Sequence, residues 1–243
     1  MTREQKQHLA SALGGSTICR GDRIVPTAYS WRKDNYYLRM HWRLRVIASV
    51  LRHERPKSVL DVGCGVAALR QLLGPGIAYY AFDGLWDGMI DPDPNVVRWT
   101  YEPGASLPFE RVTFGALVCS GFLEYVDDHI SLFEALHERL IDAGLLIASV
   151  LNPHRPALWL RRAGFPIGYL HPAWRNLVSL SQVDAELTAA GFVVECGMPI
   201  ARWFTRNRNA DSVVARGLAL GRPSTRFLER CLAAQYLFVA RKS

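Results

Sequence analysis

The sequence predicts an α/β fold whose first parallel strand ends in a glycine-rich turn. Residues 58–65 read Ser-Val-Leu-Asp-Val-Gly-Cys-Gly, in which an apolar strand closes at Asp61 and Gly63 and Gly65 form the turn. A helical run, residues 66–73, follows at once. Further apolar strands alternate with helical segments downstream, a pattern typical of a parallel sheet. At 243 residues the chain fits one domain of this type.

The glycine-rich turn suits a nucleotide-type ligand. Glycine is needed where the backbone takes a positive φ or comes close to a bound molecule. The N–H groups of the following helical turn, with the helix dipole behind them, favour an electron-rich group. Residues 63–68 also satisfy the loose G-x-G-x-x-G/A fingerprint of dinucleotide sites, and an ordinary strand-to-helix turn is a third interpretation. This stretch alone leaves the alternatives open.

A second acidic residue supports a nucleotide site. Residues 77–82 form the second predicted strand, which ends at Asp83 and Gly84. Asp83 lies about twenty residues beyond the glycines, where nucleotide-binding α/β folds place an acid on ribose hydroxyls. A carboxylate suits that role because it accepts two hydrogen bonds from a vicinal diol.

The other elements are predicted from breakers, capping residues and apolar spacing. Residues 1–30 are expected to form loops and a short helix. Three longer helices are predicted: from Asp34 to about His53, from Asp127 or Asp128 to Gly144, and from Ser181 to Ala190. Apolar runs predict the remaining strands at residues 96–101, from Phe114 onward, and at residues 145–151, 191–195 and 236–240.

The first long helix is apolar on two sides. One stripe holds Tyr37, Met40, Leu44, Ile47 and Leu51, and the other holds Leu38, Trp42, Val46 and Val50, interleaved with Arg39 and Arg43. A helix of this kind is usually covered on both sides. We expect one side to pack on the sheet and the other to meet an N-terminal lid, a substrate or a second copy of the chain.

Several ordered motifs resemble class I S-adenosylmethionine (SAM) dependent methyltransferases. Asp61 stands two residues before the first glycine, as in that family. The downstream motifs are Leu107-Pro108-Phe109, Leu123-Glu124-Tyr125-Val126 after the fourth strand, and Asn152-Pro153 after the fifth. Ala67 replaces the family's third glycine, and Gly115 stands where an aspartate is common. The resemblance covers residues 57–152 well and 181–240 loosely, and the order of the motifs favours SAM over a dinucleotide.

This resemblance implies the overall architecture. The expected fold is a three-layer αβα sandwich around a seven-stranded, mostly parallel sheet whose last strand is antiparallel, with an N-terminal helical extension. Residues 1–56 would form a helical or lid segment. Residues 57–243 would form the methyltransferase domain, with a basic insertion at about residues 197–233.

The resemblance also implies the cofactor and its contacts. Asp61, Gly63 and Gly65 would flank the methionine part of SAM, and Asp83 with Gly84 would hold the ribose. Glu102 would accept from the adenine amino group, or else be a solvated loop acid. Three more residues would lie in cofactor-facing loops: Cys64, Cys119 and Ser120. Each of the two cysteines is interpreted as a small space-filler rather than a nucleophile.

Methyl transfer from a sulfonium needs mainly in-line positioning and exclusion of water, with a base where the acceptor carries a proton. Glu124 and His154 are the better-placed base candidates, because both follow strands at the expected carboxyl edge. The other candidates are Tyr125, His129 and His171, of which His129 is interpreted as a surface residue at a helix start. No metal is predicted.

Composition narrows the function further. The net charge is +7, from 29 basic and 22 acidic residues, and most of the basic residues are arginine. Such a surface attracts anionic partners, although the arginines are scattered rather than clustered. Five widely spaced cysteines without C-x-x-C argue against a disulfide framework or a zinc site. The N-terminus lacks a signal-peptide pattern and no apolar run is long enough for a membrane span, so we expect a cytoplasmic protein.

The acceptor is inferred by elimination. The fourth strand is followed by Ser-Gly-Phe-Leu at residues 120–123, not by the Asp/Asn-Pro-Pro-Tyr of amino-methylating nucleic-acid enzymes. A small molecule, lipid- or sugar-linked ones included, is therefore the leading hypothesis, with nucleic acid disfavoured. Two alternatives stay open: an RNA methyltransferase using its arginine-rich surface, and a non-catalytic SAM-binding protein.

Overall fold

The computed structural model describes two sheets and the helices that cover the larger one. The described residues are 17–20, 23–26, 43–44, 46–65, 67–84, 94–153, 176–202 and 233–243. The strands are β1 Thr17–Arg20, β2 Arg23–Pro26, β3 Ser58–Val62, β4 Ala78–Asp83, β5 Val96–Arg98, β6 Phe114–Ser120, β7 Leu140–Leu151, β8 Phe192–Arg202 and β9 Ala233–Lys242. Helix α1 comprises residues 43–44 and 46–54, α2 is His129–Glu138 and α3 is Leu180–Ala189. Two short 3₁₀-helices span Ala68–Leu72 and Leu123–Tyr125.

The larger sheet has seven strands in the order β5-β4-β3-β6-β7-β9-β8. Neighbouring strands from β5 to β7 are parallel, whereas β9 runs antiparallel to both β7 and β8. The predicted architecture, a mostly parallel sheet whose last strand is antiparallel, is confirmed.

Two apolar clusters lie on the two faces of this sheet. On one face α1 buries Leu44, Ile47 and Leu51 against β3, β6, β7 and β9. On the other face α2 and α3 bury a second set: Leu132, Phe133, Leu136, Val183 and Leu187. Each such side chain contributes about 1.5–3 kcal/mol when fully removed from water. The three-layer sandwich is therefore confirmed, and one side of α1, the one that holds Leu44, Ile47 and Leu51, packs on the sheet.

The carboxyl ends of the central strands meet at one edge. Val62 of β3 lies opposite both Phe82 of β4 and Cys119 of β6, so these three strands end at the same level. Because β9 is antiparallel, it begins at this edge, with Gln235 opposite Leu151 at the end of β7. Ligands of open α/β sheets bind outside the carboxyl ends of the strands, so this edge is the candidate site.

The N-terminal region differs from its prediction of loops and a short helix. β1 and β2 pair antiparallel, with Thr17 opposite Pro26 and Arg20 opposite Arg23. Only Gly21 and Asp22 stand between the two strands in the sequence. A Gly-Asp pair between short β-branched runs is typical of a two-residue hairpin, so the signal was present in the sequence.

Two helix boundaries were predicted wrongly. α3 is capped by Ser179 rather than Ser181, because the Ser179 Oγ accepts the Gln182 N–H at 3.2 Å. α2 ends at Glu138, not at Gly144, and the chain enters β7 directly. The expected cap Asp128 is confirmed, since its side chain accepts from the Ser131 N–H.

Three strands have bounds that differ from those predicted. β7 starts at Leu140, which pairs with Phe114, but its regular pairing resumes only at Leu145, so residues 141–144 form an irregularity. β5 ends at Arg98 rather than at residue 101. β8 continues to Arg202, so the first six residues of the predicted insertion are strand, and residues 203–232 lie outside the described part. The division of the chain at residue 56 stays a prediction.

Candidate functional site

The glycine turn after β3 is held against the end of β4. The N–H groups of Gly63 and Cys64 donate to the Phe82 carbonyl oxygen at 2.9 and 3.1 Å. The Gly65 N–H donates to Asp83 Oδ2 at 2.8 Å. Both glycines have a positive φ, 68° and 56°, which L side chains rarely adopt. The turn therefore brings the two predicted ligand-contacting segments together, as parallel pairing of β3 and β4 requires.

The two glycines have different surroundings. A Cβ atom built on Gly63 would clash with the ring of Phe122, which follows β6 and packs edge-on against Phe82. Among the described residues, a Cβ atom built on Gly65 would meet nothing within 4 Å. Gly63 therefore admits an aromatic ring from the protein, whereas no described side chain or backbone atom crowds Gly65.

Asp61 is a buried carboxylic acid, only 2% exposed, on the face of β3 that α1 covers. The Tyr79 hydroxyl donates to Asp61 Oδ2 at 2.6 Å. Burial raises the pKa of Asp61 to about 7, against the lowering effect of the Tyr79 hydrogen bond. The nearby Asp83 charge also raises this pKa, and the Arg43 charge lowers it. The site therefore holds an acid that changes charge near neutral pH.

Arg43 lies at the start of the described part of α1 and is 3% exposed. One guanidinium nitrogen, Nη2, donates to the Ser120 carbonyl oxygen at 3.1 Å, and Nη1 donates to Gln235 Oε1 at 3.2 Å. The guanidinium lies over Gly121, where a Cβ atom would be 2.8 Å from Nη1. α1, β6 and β9 therefore meet at one buried cation.

Glu124 is 3% exposed and lies in the 3₁₀-helix after β6. Its Oε1 accepts the Leu151 N–H at 2.8 Å, which ties the end of β7 to the end of β6. Its Oε2 has no hydrogen-bond partner among the described residues. Burial raises the pKa of this carboxyl, while Arg43 and His129 act in the opposite direction. Glu124 thus has one structural oxygen and one unpartnered oxygen.

The predicted ribose residues end β4, and the predicted adenine residue follows the neighbouring strand β5. Asp83 and Gly84 end β4 beside the glycine turn, and Gly84 faces Thr100, whose Oγ1 would be 2.8 Å from a Cβ atom at Gly84. Glu102 is exposed in a turn closed by the Ala105 N–H and the Glu102 carbonyl. Since β5 ends at Arg98, Thr100 rather than Glu102 is the residue placed against the end of β4.

The remaining predicted residues are mostly buried. Cys64 and Cys119 are buried, and burial raises the pKa of both thiols, in keeping with the space-filling role. Ser120 is 8% exposed at the end of β6, and its Oγ has no partner in the described part of the chain. His154 and His171 lie outside the described residues.

The interpretation of His129 as a surface residue is wrong, because it is only 3% exposed. Its Nε2 lies 2.8 Å from the Leu123 carbonyl oxygen and its Nδ1 lies 3.0 Å from Glu186 Oε2. His129, at the start of α2, therefore links the 3₁₀-helix Leu123–Tyr125 to α3 through its two ring nitrogens.

Replacing His129 by leucine is expected to lower the free energy of unfolding by about 3 kcal/mol, because Glu186 Oε2 and the Leu123 carbonyl oxygen lose their contacts with the ring. Glu186 Oε1 keeps its bond from the Gln182 side chain. Glu186→Gln, which retains an acceptor for Nδ1, serves as the matched variant and should cost less than half as much. Denaturant unfolding at pH 7 measures both. Equal losses would show that the charge, not the hydrogen bonds, stabilises the contact between α2 and α3.

Three contributors to this site were not singled out in the sequence: Arg43, Phe122 and Thr100. Arg43 stands four residues before Ile47 and eight before Leu51, which places it on the sheet-facing side of α1. That spacing was a usable signal of burial. The position of Phe122 over Gly63 depends on how β6 exits the sheet, and no local pattern indicates it.

The fold is that of an open α/β protein, and the candidate site lies at the carboxyl edge of β3, β4 and β6, where ligands of such sheets bind. Within the described part of the chain, no helix is long and apolar enough to cross a bilayer. A family model described as a methyltransferase domain matches residues 31–196. None of the curated proteins matches this sequence.

Solved structures share the fold at low sequence identity. A magnesium protoporphyrin IX methyltransferase from Synechocystis PCC 6803 with bound S-adenosylhomocysteine (SAH) is 14% identical, with a TM-score of 0.59 over 88% of this chain and 89% of that chain. A SAM-dependent methyltransferase from Archaeoglobus fulgidus is 16% identical, with a TM-score of 0.52 over 86% and 99%. The N-methyltransferase NodS from Bradyrhizobium japonicum in complex with SAH is 15% identical, with a TM-score of 0.51 over 98% and 97%.

The chain belongs to the methyltransferase-domain family, since the family model spans more than half of it. It is an enzyme of the class I SAM-dependent kind, as its ordered motifs predicted, and its cofactor is SAM.

Proposed function

We propose that the chain transfers the methyl group of SAM to an oxygen or nitrogen atom of a small-molecule acceptor, a lipid- or sugar-linked one included. The observation that supports SAM as the bound cofactor is the convergence of Asp61, Gly65 and Asp83 at one edge of the sheet. No atom of the described residues lies within 4 Å of a Cβ position at Gly65. These residues fit SAM chemically. A carboxylate is present for the ribose diol, and a second one is present beside the position proposed for the positively charged methionine part.

In this proposal each residue has a definite task. Asp83 accepts from the ribose hydroxyls, and Gly65 allows the backbone to approach the cofactor. Asp61, Ser120 and the glycine turn flank the methionine part, with Gly63 and Cys64 shaping that turn. Glu102 remains the sequence-based candidate for the adenine amino group, and Thr100 is the alternative that lies nearer the end of β4.

When bound, SAM supplies a methyl group already activated on a sulfonium, so the protein's work is positioning and proton removal. Phe122 covers the turn next to Gly63 and excludes water from that side. Glu124 is the proposed base, because its unpartnered Oε2 and raised pKa suit a group that takes a proton from an acceptor hydroxyl or ammonium. His154 remains the second candidate from the sequence.

Replacing Glu124 by glutamine is expected to lower kcat by about 100-fold while leaving KM nearly unchanged, because general-base catalysis contributes roughly 10²–10⁴-fold. The amide oxygen of glutamine still accepts the Leu151 N–H, so the end of β7 stays in place. Glu124→Leu, which loses both functions, should also lower the free energy of unfolding. If the glutamine variant had an unaltered kcat, Glu124 would not be the general base, and its role would be limited to accepting the Leu151 N–H.

The cofactor site is tested by a pair of glycine variants. Gly65 and Gly76 both have a positive φ, and a Cβ atom at either would meet no described atom within 4 Å. Gly76 lies before β4, away from the carboxyl edge. Both alanine variants carry a similar backbone cost of about 1 kcal/mol. Calorimetric titration with SAM and SAH should show at least a tenfold loss of affinity for Gly65→Ala and none for Gly76→Ala. Equal affinities would contradict the proposed position.

The acceptor is tested with SAM carrying a labelled methyl group. We expect label to enter low-molecular-weight products from a cell extract. Incorporation only into RNA, lost at moderate salt because phosphate contacts weaken, would replace the small-molecule proposal by an RNA methyltransferase. Binding of SAM with no transfer to either fraction would leave a SAM-binding protein without catalysis.

A further inference from the structure

We infer that Gln235, near the start of β9, selects an acceptor in which a second oxygen atom lies next to the hydroxyl group that is methylated. The inference rests on the proposed function, because it takes Glu124 as the base that removes the hydroxyl proton. It goes beyond that function by naming an acceptor class, a phenol-type hydroxyl with a neighbouring oxygen, and the residue that recognises it.

Gln235 and Glu124 flank the last residue of β7. Glu124 Oε1 accepts the Leu151 N–H at 2.8 Å, and Gln235 lies opposite Leu151 in the antiparallel pairing of β7 with β9. Paired residues of antiparallel strands have Cα atoms about 4.5–5.5 Å apart. The carboxyl group of Glu124 and the amide of Gln235 therefore lie at the same edge of the sheet, close enough for one small molecule to contact both.

Arg43 fixes the orientation of the Gln235 amide. Nη1 of Arg43 donates to Gln235 Oε1 at 3.2 Å. A guanidinium only donates, so the amide oxygen faces Arg43 and the amide NH₂ group points away from it. Gln235 is half-buried, and its Nε2 has no hydrogen-bond partner among the described residues. The strand end therefore offers a pre-oriented donor to an oxygen atom of a ligand.

A base and a donor side by side define the ligand that complements them. Glu124 Oε2, which has no partner among the described residues, takes a proton, and Gln235 Nε2 gives a hydrogen bond. The matching molecule presents a hydroxyl group with an acceptor oxygen next to it. A phenolic hydroxyl has a pKa of about 10, against about 16 for water, so it is the easier proton source for a carboxylate base.

A cavity of about 210 Å³ borders the same strand ends on the side of α3. Its walls come from residues that follow Leu151 and Gln235 and from the start of α3: Asn152, Pro153, Ser179, Leu180, Ser181 and Tyr236. These side chains are uncharged, and the volume is below the roughly 300 Å³ at which pockets for drug-sized ligands begin. The cavity therefore suits a small uncharged molecule with polar groups.

The transfer is a displacement at the methyl carbon. The acceptor's hydroxyl oxygen forms a bond to that carbon while the bond from carbon to sulfur breaks, and its electron pair stays on sulfur, which yields SAH. The hydroxyl proton passes to Glu124 Oε2. The neighbouring oxygen keeps its hydrogen bond from Gln235 Nε2, which holds the hydroxyl oxygen in line with the bond that breaks.

The test uses SAM with a labelled methyl group and two acceptors of identical composition: catechol, whose hydroxyls are neighbours, and resorcinol, whose hydroxyls are one carbon further apart. For the wild-type full chain, kcat/KM should be about tenfold higher with catechol, as expected for one hydrogen bond to a ligand. Gln235→Glu keeps an oxygen for Arg43 but loses the donor, and Gln235→Met loses both. In each variant the catechol value should fall about tenfold, to that of resorcinol, which should not change. Gln71→Glu, the same change of charge at an exposed glutamine, should keep the preference.

Calorimetric titration with SAH separates this inference from the proposed function. A wild type that binds SAH but transfers label equally to catechol and resorcinol, or to neither, would overturn the acceptor class and leave the SAM site standing. A preference for catechol that survives in both Gln235 variants would overturn the role of Gln235. A wild type that binds neither SAM nor SAH would overturn the proposed function as well. Should Gln235→Glu not fold, the wild-type ratio and Gln235→Met still decide the question.

Discussion

The Asp61→Asn protein is expected to be more stable than the wild type at pH 8, by about 4 kcal/mol in the free energy of unfolding. The folded-state pKa of Asp61 is raised from 3.8 to about 7 by burial, and each pKa unit corresponds to about 1.4 kcal/mol. A raised pKa means that the folded state binds the proton more tightly than the unfolded state. The wild type therefore loses stability as the pH rises from about 4 to about 7.

Denaturant unfolding between pH 4 and pH 8 measures this effect. The introduced asparagine cannot ionise, and its side-chain oxygen still accepts from the Tyr79 hydroxyl, so the variant should lack this pH dependence and match the wild type near pH 4. The same substitution at the exposed Asp142 should change neither stability nor slope. Parallel curves for the wild type and Asp61→Asn would contradict the assignment of the buried acid.

The ionised Asp61 that destabilises the free protein is the form that a cationic ligand prefers. In the proposed site, SAM should bind more tightly above pH 7 than below it, and binding near pH 6.5 should release a proton from Asp61. The same substitution that stabilises the fold should then weaken SAM binding. Stability given up at a functional position in this way is a common trade-off.

The elements that were predicted well are those specified locally. The glycine turn of residues 63–65, the strands β3, β4 and β6, and the N-cap Asp128 each depend on residues within a few positions of each other. The order of these elements then fixes a parallel sheet, because short connections leave few alternative topologies. The sequence therefore predicted the sheet and brought the candidate residues Gly65 and Asp83 to one edge of it.

The details that were missed depend on partners distant in sequence. His129 is buried where Glu186, 57 residues later, supplies a hydrogen-bond partner for its ring. Arg43 is buried because β6 and β9 supply its oxygen acceptors, the second of them 192 residues away. β5 stops at Arg98 although its apolar run continues, since pairing with β4 extends only to Asp83. Local patterns do not determine such contacts.

Removing the carboxylate of Asp83 is expected to have the largest effect on ligand binding. In Asp83→Ala the affinity for SAH should fall by at least about 100-fold, because two charge-assisted hydrogen bonds to the ribose would be lost, each contributing about 1.5–3 kcal/mol. The free energy of unfolding should fall as well, by at least about 1 kcal/mol, because the bond from the Gly65 N–H to the carboxylate is lost. Calorimetry and denaturant unfolding separate the two effects.

A second variant and a second ligand distinguish ribose binding from support of the turn. Asp83→Asn keeps an oxygen for the Gly65 N–H but replaces the other oxygen by a donor, so it should hold the turn and bind the diol less well. The 2′-deoxy analogue of SAH should bind the wild type more weakly than SAH does, yet bind Asp83→Ala about as well as SAH. If every variant keeps the wild-type preference for SAH over its deoxy analogue, Asp83 acts on the turn alone, and the ribose of SAM is held by another residue.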